Sequence, residues 1–255
     1  MTEAQIKEWV ELLENCCADV PAASLNFIID QAGTTPLLSS VRSVVPALTW
    51  QSLFDGLPEE GSLHLAPVLV RVDLTQPLQR QWLIGLIGDL HDRSRLLFLV
   101  TRWHFPALAE YLGRCLGARH RGRGGLFRFY DPRVFALLFS HVFEPDQQQV
   151  LLRPAEFWSW LDRDGQPHHL PGASDLPQPP DDFTAFELTD SQLERLSCVS
   201  DAMTAQGNFA GVLPNEWTTE QRFHACYEAV LEGLAAGHRT GAELAAQVRK
   251  KLRGA

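Results

Sequence analysis

The sequence predicts an α/β amino-terminal lobe joined to a smaller all-α carboxyl-terminal lobe. Three observations carry this. Short apolar runs alternate with amphipathic helical spacing over the first 160 residues. A stretch dense in Pro, Gly and Asp then interrupts the pattern. Beyond it only helical periodicity remains. The expected boundaries are 1–163 for the α/β lobe, 164–184 for a linker, and 185–255 for the helical lobe.

In the first lobe, Ile6, Trp9, Val10, Leu13 and Cys17 recur at three- and four-residue spacing, which predicts a helix ending before Pro21. LNFIID, Leu25 to Asp30, reads as a buried strand, and ALTWQSLFDGL after Pro46 as a short helix stopped by Gly56 and Pro58. APVLVRVDL, Ala66 to Leu74, is a second apolar strand and RLLFLVTR, Arg95 to Arg102, a third. Helical spacing in Leu78, Trp82, Leu83 and Leu86 lies between them. FPALAEYLGRCLG follows, with Pro106 near its start and Gly117 past its end. The alternation suggests a largely parallel or mixed sheet flanked by helices.

In the second lobe, Thr189 with Gln192, Thr218 with Gln221, and Thr240 with Glu243 have capping-box spacing. Three helices are expected, the last from Gly241 to about Arg253. Phe223, Cys226, Tyr227, Val230, Leu231 and Leu234 share one face of the middle one. Between the lobes, WSWLDRDGQPHHL allows a small hairpin around Asp164-Gly165 before the linker.

Composition bounds the function. Among 255 residues, 45% are hydrophobic and 21% charged, as in a globular chain that folds in water. The net charge of −9 disfavours general binding to a phosphate backbone on electrostatic grounds. Five cysteines, an odd number without CxxC spacing, favour reduced thiols over a disulfide framework. The first 17 residues lack a basic head and apolar run, and no segment suits a bilayer, so a cytoplasmic location is expected.

No GxSxG elbow, Walker A or GxGxxG motif occurs. His168-His169 and the acidic pair Asp181-Asp182 lack the partners that a metal site or an acid/base couple needs. No catalytic residue, metal or cofactor is expected. The basic run GARHRGRGG, with Arg119 and Arg121, reads as a solvated loop that can meet phosphates or an acidic protein surface.

The densest stretch is GGLFRFYDPRVFALLF, Gly124 to Phe139. Alternation in LFRFYD predicts a strand with Phe127 and Phe129 on one face, and Leu126, Arg128 and Tyr130 on the other. Asp131 suits a helix N-cap and Pro132 the first helical position. Arg128 and Arg133 flank Asp131 and can pair with it. Alternatively, Arg128, Tyr130 and Arg133 form a polar recognition site at the sheet end.

LFRFYDPRVF also resembles the LFRFYDPRVL signature of the adaptor or effector-chaperone family of bacterial type VI secretion. LNFIIDQAG, Phe54 to Val72 and FWSWL resemble further family segments in the expected order, from Leu25 to Leu161. The family's His-Leu-Arg run before the signature is replaced here by EYLGRC, Glu110 to Cys115. The resemblance implies a non-catalytic cytosolic adaptor. It would bind a toxic effector and help load it onto the VgrG spike, with neither nucleic acid nor membrane as partner. The signature residues would be Arg128, Tyr130, Asp131, Pro132 and Arg133. The expected partner-binding residues are Trp217, Arg222 and Tyr227 on the helical lobe, with Arg119 and Arg121. The alternative is an α/β enzyme or binding protein for a phosphorylated or acidic small molecule, with Arg119, Arg121, Arg128 and Arg133 as its anion site.

Overall fold

The computed structural model describes all residues except 34–36, 177–182, 212, 238–242, 244, 245, 248 and 251–255. The chain divides into two compact units, Met1–Glu187 and Leu188–Ala255.

The first unit is built on a six-stranded sheet in the order β2-β3-β1-β4-β7-β8. Its strands are β1 (Ser24–Ile29), β2 (Thr49–Ser52), β3 (Val68–Val72), β4 (Leu96–Thr101), β7 (Phe157–Leu161) and β8 (Pro167–Pro171). The α/β class expected from the alternation holds, but every neighbouring pair in this sheet is antiparallel. The reason lies in one insertion. Helix α3 (Pro77–Leu90) links β3 to β4, and these two strands run in the same direction, as in a βαβ unit. Strand β1 lies between them and pairs antiparallel with both, through Phe27↔Val70 and Phe27↔Phe98. Alternation of strand and helix signals the crossover; it does not signal the inserted strand.

β1 is buried from Leu25 to Ile29 because both of its faces are covered. Leu25, Phe27 and Ile29 join a core formed with α1 (Glu3–Asp19) and α3, which contribute Trp9, Val10, Leu13, Leu83 and Ile87. There Phe27 stacks on Phe98 at 5.1 Å and Trp9 meets Phe98 edge-on at 4.9 Å. The Trp9 indole N–H donates to Ser159 Oγ (3.1 Å), which satisfies the one polar atom of that ring. The opposite face is covered by the segment containing α4 (Phe105–Arg114), α5 (Pro132–Leu137), a π-helical turn (Leu138–Val142) and α6 (Pro145–Leu152). Phe135 lies 5.2 and 5.3 Å from the rings of Trp158 and Trp160, and the Trp158 indole donates to Leu151 O (2.9 Å).

Two local expectations are corrected. TWQS, read as part of a short helix, is strand β2. Thr49 and Trp50 suit a strand, and the β3 edge supplies main-chain partners, including Leu53 N to Pro67 O at 2.9 Å. The five-residue helix α2 (Leu38–Arg42) precedes it. The expected hairpin at Asp164-Gly165 forms: Gly165 has φ +72°, and Asp162 and Gln166 close a three-residue loop. Of the stretch 164–184 expected as a linker, Pro167–Pro171 is therefore strand β8, and Asp181-Asp182 lies outside the described residues.

A second sheet has the order β6-β5-β9, from β5 (Gly117–His120), β6 (Arg123–Leu126) and β9 (Phe186–Glu187). β5 pairs antiparallel with β6 and parallel with β9.

In the second unit, α7 (Asp190–Asn208) and α8 (Thr219–Ala235) each begin with the expected capping box, at Thr189–Gln192 and Thr218–Gln221. Phe223, Cys226, Tyr227 and Val230 are buried, together with Cys198, Val199 and Ala202 of α7. Thr240 of the third capping pair and most of the expected helix Gly241–Arg253 fall outside the described residues. No helix among the described residues is long and apolar enough to cross a membrane.

Candidate functional site: the Asp30 clamp and the basic hairpin

The segment RFYDPR is held between a strand end and a helix start. β6 stops at Leu126, so the predicted strand through Tyr130 does not extend beyond it. Phe127 N donates to Leu116 O (2.7 Å), and a turn over Phe127–Asp131 follows. Burial still alternates at first: Phe127 and Phe129 are inside and Arg128 outside. Tyr130 breaks the alternation and is buried. Asp131 is the N-cap of α5, its Oδ1 accepting from Arg133 N (3.1 Å), and Pro132 opens the helix.

The two arginines take different acids. Arg133 pairs with Asp131 through both Nε (2.9 Å) and Nη2 (2.7 Å), as its place in the sequence suggested. Arg128 does not join it. Its Nη2 donates to Asp30 Oδ2 (2.6 Å), at the end of β1, 98 residues away in sequence. Arg95, just before β4, reaches the same oxygen from Nη1 (2.8 Å) and also donates to Ala32 O. Asp30 is 1% exposed, whereas Arg128 is 42% exposed. The buried carboxylate is therefore held by two cations, one from the sheet and one from the signature.

Several second contacts fix this clamp. Asp30 N donates to Arg95 O, closing the β1–β4 ladder (2.9 Å), and Asp30 Oδ1 accepts from Ala32 N (3.1 Å). The Arg128 guanidinium lies 5.5 Å from the centroid of the Tyr130 ring. Burial pushes the Tyr130 phenol well above its ordinary value; Arg128 opposes this, while Asp30 and Asp131 add to it. The hydrogen bonds that Arg133 donates to Asp131 raise its guanidinium against the effect of burial. Arg163 Nη2 donates to Arg133 O (3.1 Å), tying the β7–β8 hairpin to the start of α5. Asp30 was the residue missed in the sequence. Its only signal there was an acid closing the mostly apolar run LNFIID.

The basic run expected as a solvated loop is instead the β5–β6 hairpin. Arg121 (φ +49°) and Gly122 (φ +77°) form its two-residue turn, both in the left-handed region that such a turn requires. Arg119, Arg121 and Arg123 are exposed, and Arg119 lies 3.8 Å from Glu187. The four arginines proposed as an anion site are thus divided, with Arg128 and Arg133 engaged by Asp30 and Asp131.

In the helical unit, Trp217 is half-buried beside the α8 N-cap, and Arg222 Nη2 donates to Asn215 O (2.9 Å). Tyr227, expected to meet a partner, is fully buried. Its ring stacks on Phe223 at 5.9 Å and its hydroxyl donates to Arg195 O (3.2 Å). The helical spacing that grouped Tyr227 with Phe223 placed it on the inward face, so it is a core residue. His168 lies in β8, where its Nε2 and Asp162 Oδ2 are 2.9 Å apart. Two clefts of about 340 and 750 Å³ flank the start of α1; neither is lined by Asp30, Arg128 or Tyr130.

Residues 27–150 match the family model described as "Domain of unknown function (DUF4123)", a family associated with type VI secretion adaptors. That span contains Asp30, Arg95 and all of RFYDPR, the parts of the clamp. No curated protein and no solved structure matches the chain.

Proposed function

We propose that this protein is a non-catalytic cytoplasmic adaptor that binds a type VI secretion effector and helps load it onto the VgrG spike. The observation that carries the reading is the family match over residues 27–150, a span that includes the signature segment. The clamp supports a scaffolding role for that segment. An arginine held on a buried aspartate fixes a turn; it does not present a free cation to a substrate. Partner recognition then falls to exposed surface, through apolar burial inside a polar rim. Trp217 and Arg222 on one unit, and Arg119 and Arg121 on the other, are exposed or half-buried groups of suitable chemistry.

The test is co-expression of the tagged chain with the products of its neighbouring genes, followed by affinity capture and mass analysis. The adaptor reading predicts that an effector and the spike protein are retained. Capture of neither overturns it. Turnover of a phosphorylated or acidic metabolite by the purified chain would instead favour the enzyme reading.

A further inference from the structure

We propose that the open edge of β6 is a docking site for an extended, acidic segment of a partner protein, which adds to the small sheet as a fourth strand. Among the described residues β6 has a neighbour on one side only, in the order β6-β5-β9. All four of its residues, Arg123-Gly124-Gly125-Leu126, are exposed.

The register identifies the available main-chain groups. Phe127 N bonds Leu116 O, and His120↔Arg123 closes the hairpin. In an antiparallel pair, hydrogen-bonded positions alternate. Arg123 and Gly125 therefore face β5, while the N–H and C=O of Gly124 and Leu126 face the open edge. The contrast with β8, an edge of the large sheet, is informative. Asp162–Gln166 and Glu156–Gly172 set its register, so Pro167, His169 and Pro171 face outward there, and two of those three have no N–H to offer. Prolines at outward positions guard an edge against added strands. β6 carries no such guard.

The glycines are a second, independent observation. Gly weakens a strand, and where it persists it marks a bulge, a bend or the close approach of another backbone. Neither Gly124 nor Gly125 has a positive φ, and a Cβ at either would have nothing among the described residues within 4 Å. The packing of the described residues therefore requires neither glycine. Close approach of a strand from outside accounts for both.

Charge selects the occupant. Arg119, Arg121 and Arg123 sit on one hairpin, with Glu187 3.8 Å from Arg119, on a chain of net charge −9. An acidic segment is attracted there, whereas a second copy of β6 would bring like charges together. Leu126, 44% exposed, gives the strand an apolar contact at its far end. The site deepens the adaptor reading, and it rests on that reading for the partner being a protein.

The probe is a fluorescent heptapeptide alternating Thr and Val, with three Glu at one end, titrated against the full chain by anisotropy. Saturable, salt-sensitive binding is expected. N-methylation of one alternate set of its amides should abolish binding, and methylation of the other set should leave it intact. Gly124→Pro removes an outward N–H without touching the β5 ladder, and should weaken binding about tenfold at unchanged melting temperature. Arg119→Glu with Arg123→Glu should weaken it comparably. Absence of saturable binding up to about 1 mM would overturn the proposal, as would indifference to N-methylation. So would a dimer of the chain that Gly124→Pro converts to monomer. Effector capture separates the two readings: retention of the effector by Gly124→Pro at wild-type level sinks the edge alone, and its absence from the wild type sinks the adaptor.

Discussion

Asp30 ties strand β1 to Arg95 and to the RFYDPR turn. It is buried, and two arginines converge on one of its oxygens. Asp30→Ala leaves Arg95 and Arg128 facing each other without a counter-charge. The expected cost is about 3–5 kcal/mol in urea unfolding. Arg128→Ala should cost only about 1 kcal/mol, because Arg128 is partly solvated and Arg95 still pairs with the acid. The Arg133–Asp131 pair was legible in the sequence, since the two residues are neighbours in one turn. The Arg128–Asp30 pair was not, because only the fold brings residues 98 positions apart together. Gly172 makes a further residue-scale case. A Cβ there would lie 1.8 Å from Ala155 O, while Gly172 N donates to Glu156 O (2.9 Å). Gly172→Ala should destabilise by at least about 1–3 kcal/mol, measured as a lowered urea midpoint.

At the scale of elements, caps and thiols govern the helical unit. Thr189 and Thr218 each accept a hydrogen bond from the N3 backbone N–H and are answered by a glutamine side chain. Replacing either by Ala should lower stability by about 1 kcal/mol, seen as reduced helical signal at intermediate urea. Burial raises the Cys198 and Cys226 thiols to about 11 from an ordinary 9.0, with Asp201 and Glu194 adding to the shift at Cys198. Burial likewise raises the Tyr227 phenol to about 12 from 10.0. In the folded unit these groups hold their protons where the unfolded chain releases them. Their stabilisation is complete below about pH 9 and falls as pH rises towards 11–12. Replacing both cysteines by Ala should flatten the first part of that decline in a pH series of thermal melts. The capping boxes were readable because their spacing is local. The strand TWQS and the β5–β6 hairpin were missed for the opposite reason. Each depends on a partner strand, and GARHRGRGG carries few of the β-branched or aromatic residues that announce a strand.

For the whole molecule, the sequence revealed which segments are apolar but not their direction. The crossover β3–α3–β4 was visible as alternation, and insertion of β1 between its strands was not. That insertion places Asp30 where Arg95 and Arg128 can both reach it. The signature thereby joins the end of the large sheet to the start of α5. The central claim is that RFYDPR acts as an architectural clamp and does not contact a ligand. A double-mutant cycle with Asp30→Ala and Arg128→Ala, read by unfolding free energy beside effector capture, tests it most directly. The account predicts a coupling of about 1–3 kcal/mol between the two sites, with capture retained by the folded Arg128→Ala chain. Coupling near zero, with capture lost from a fully stable Arg128→Ala chain, would contradict it.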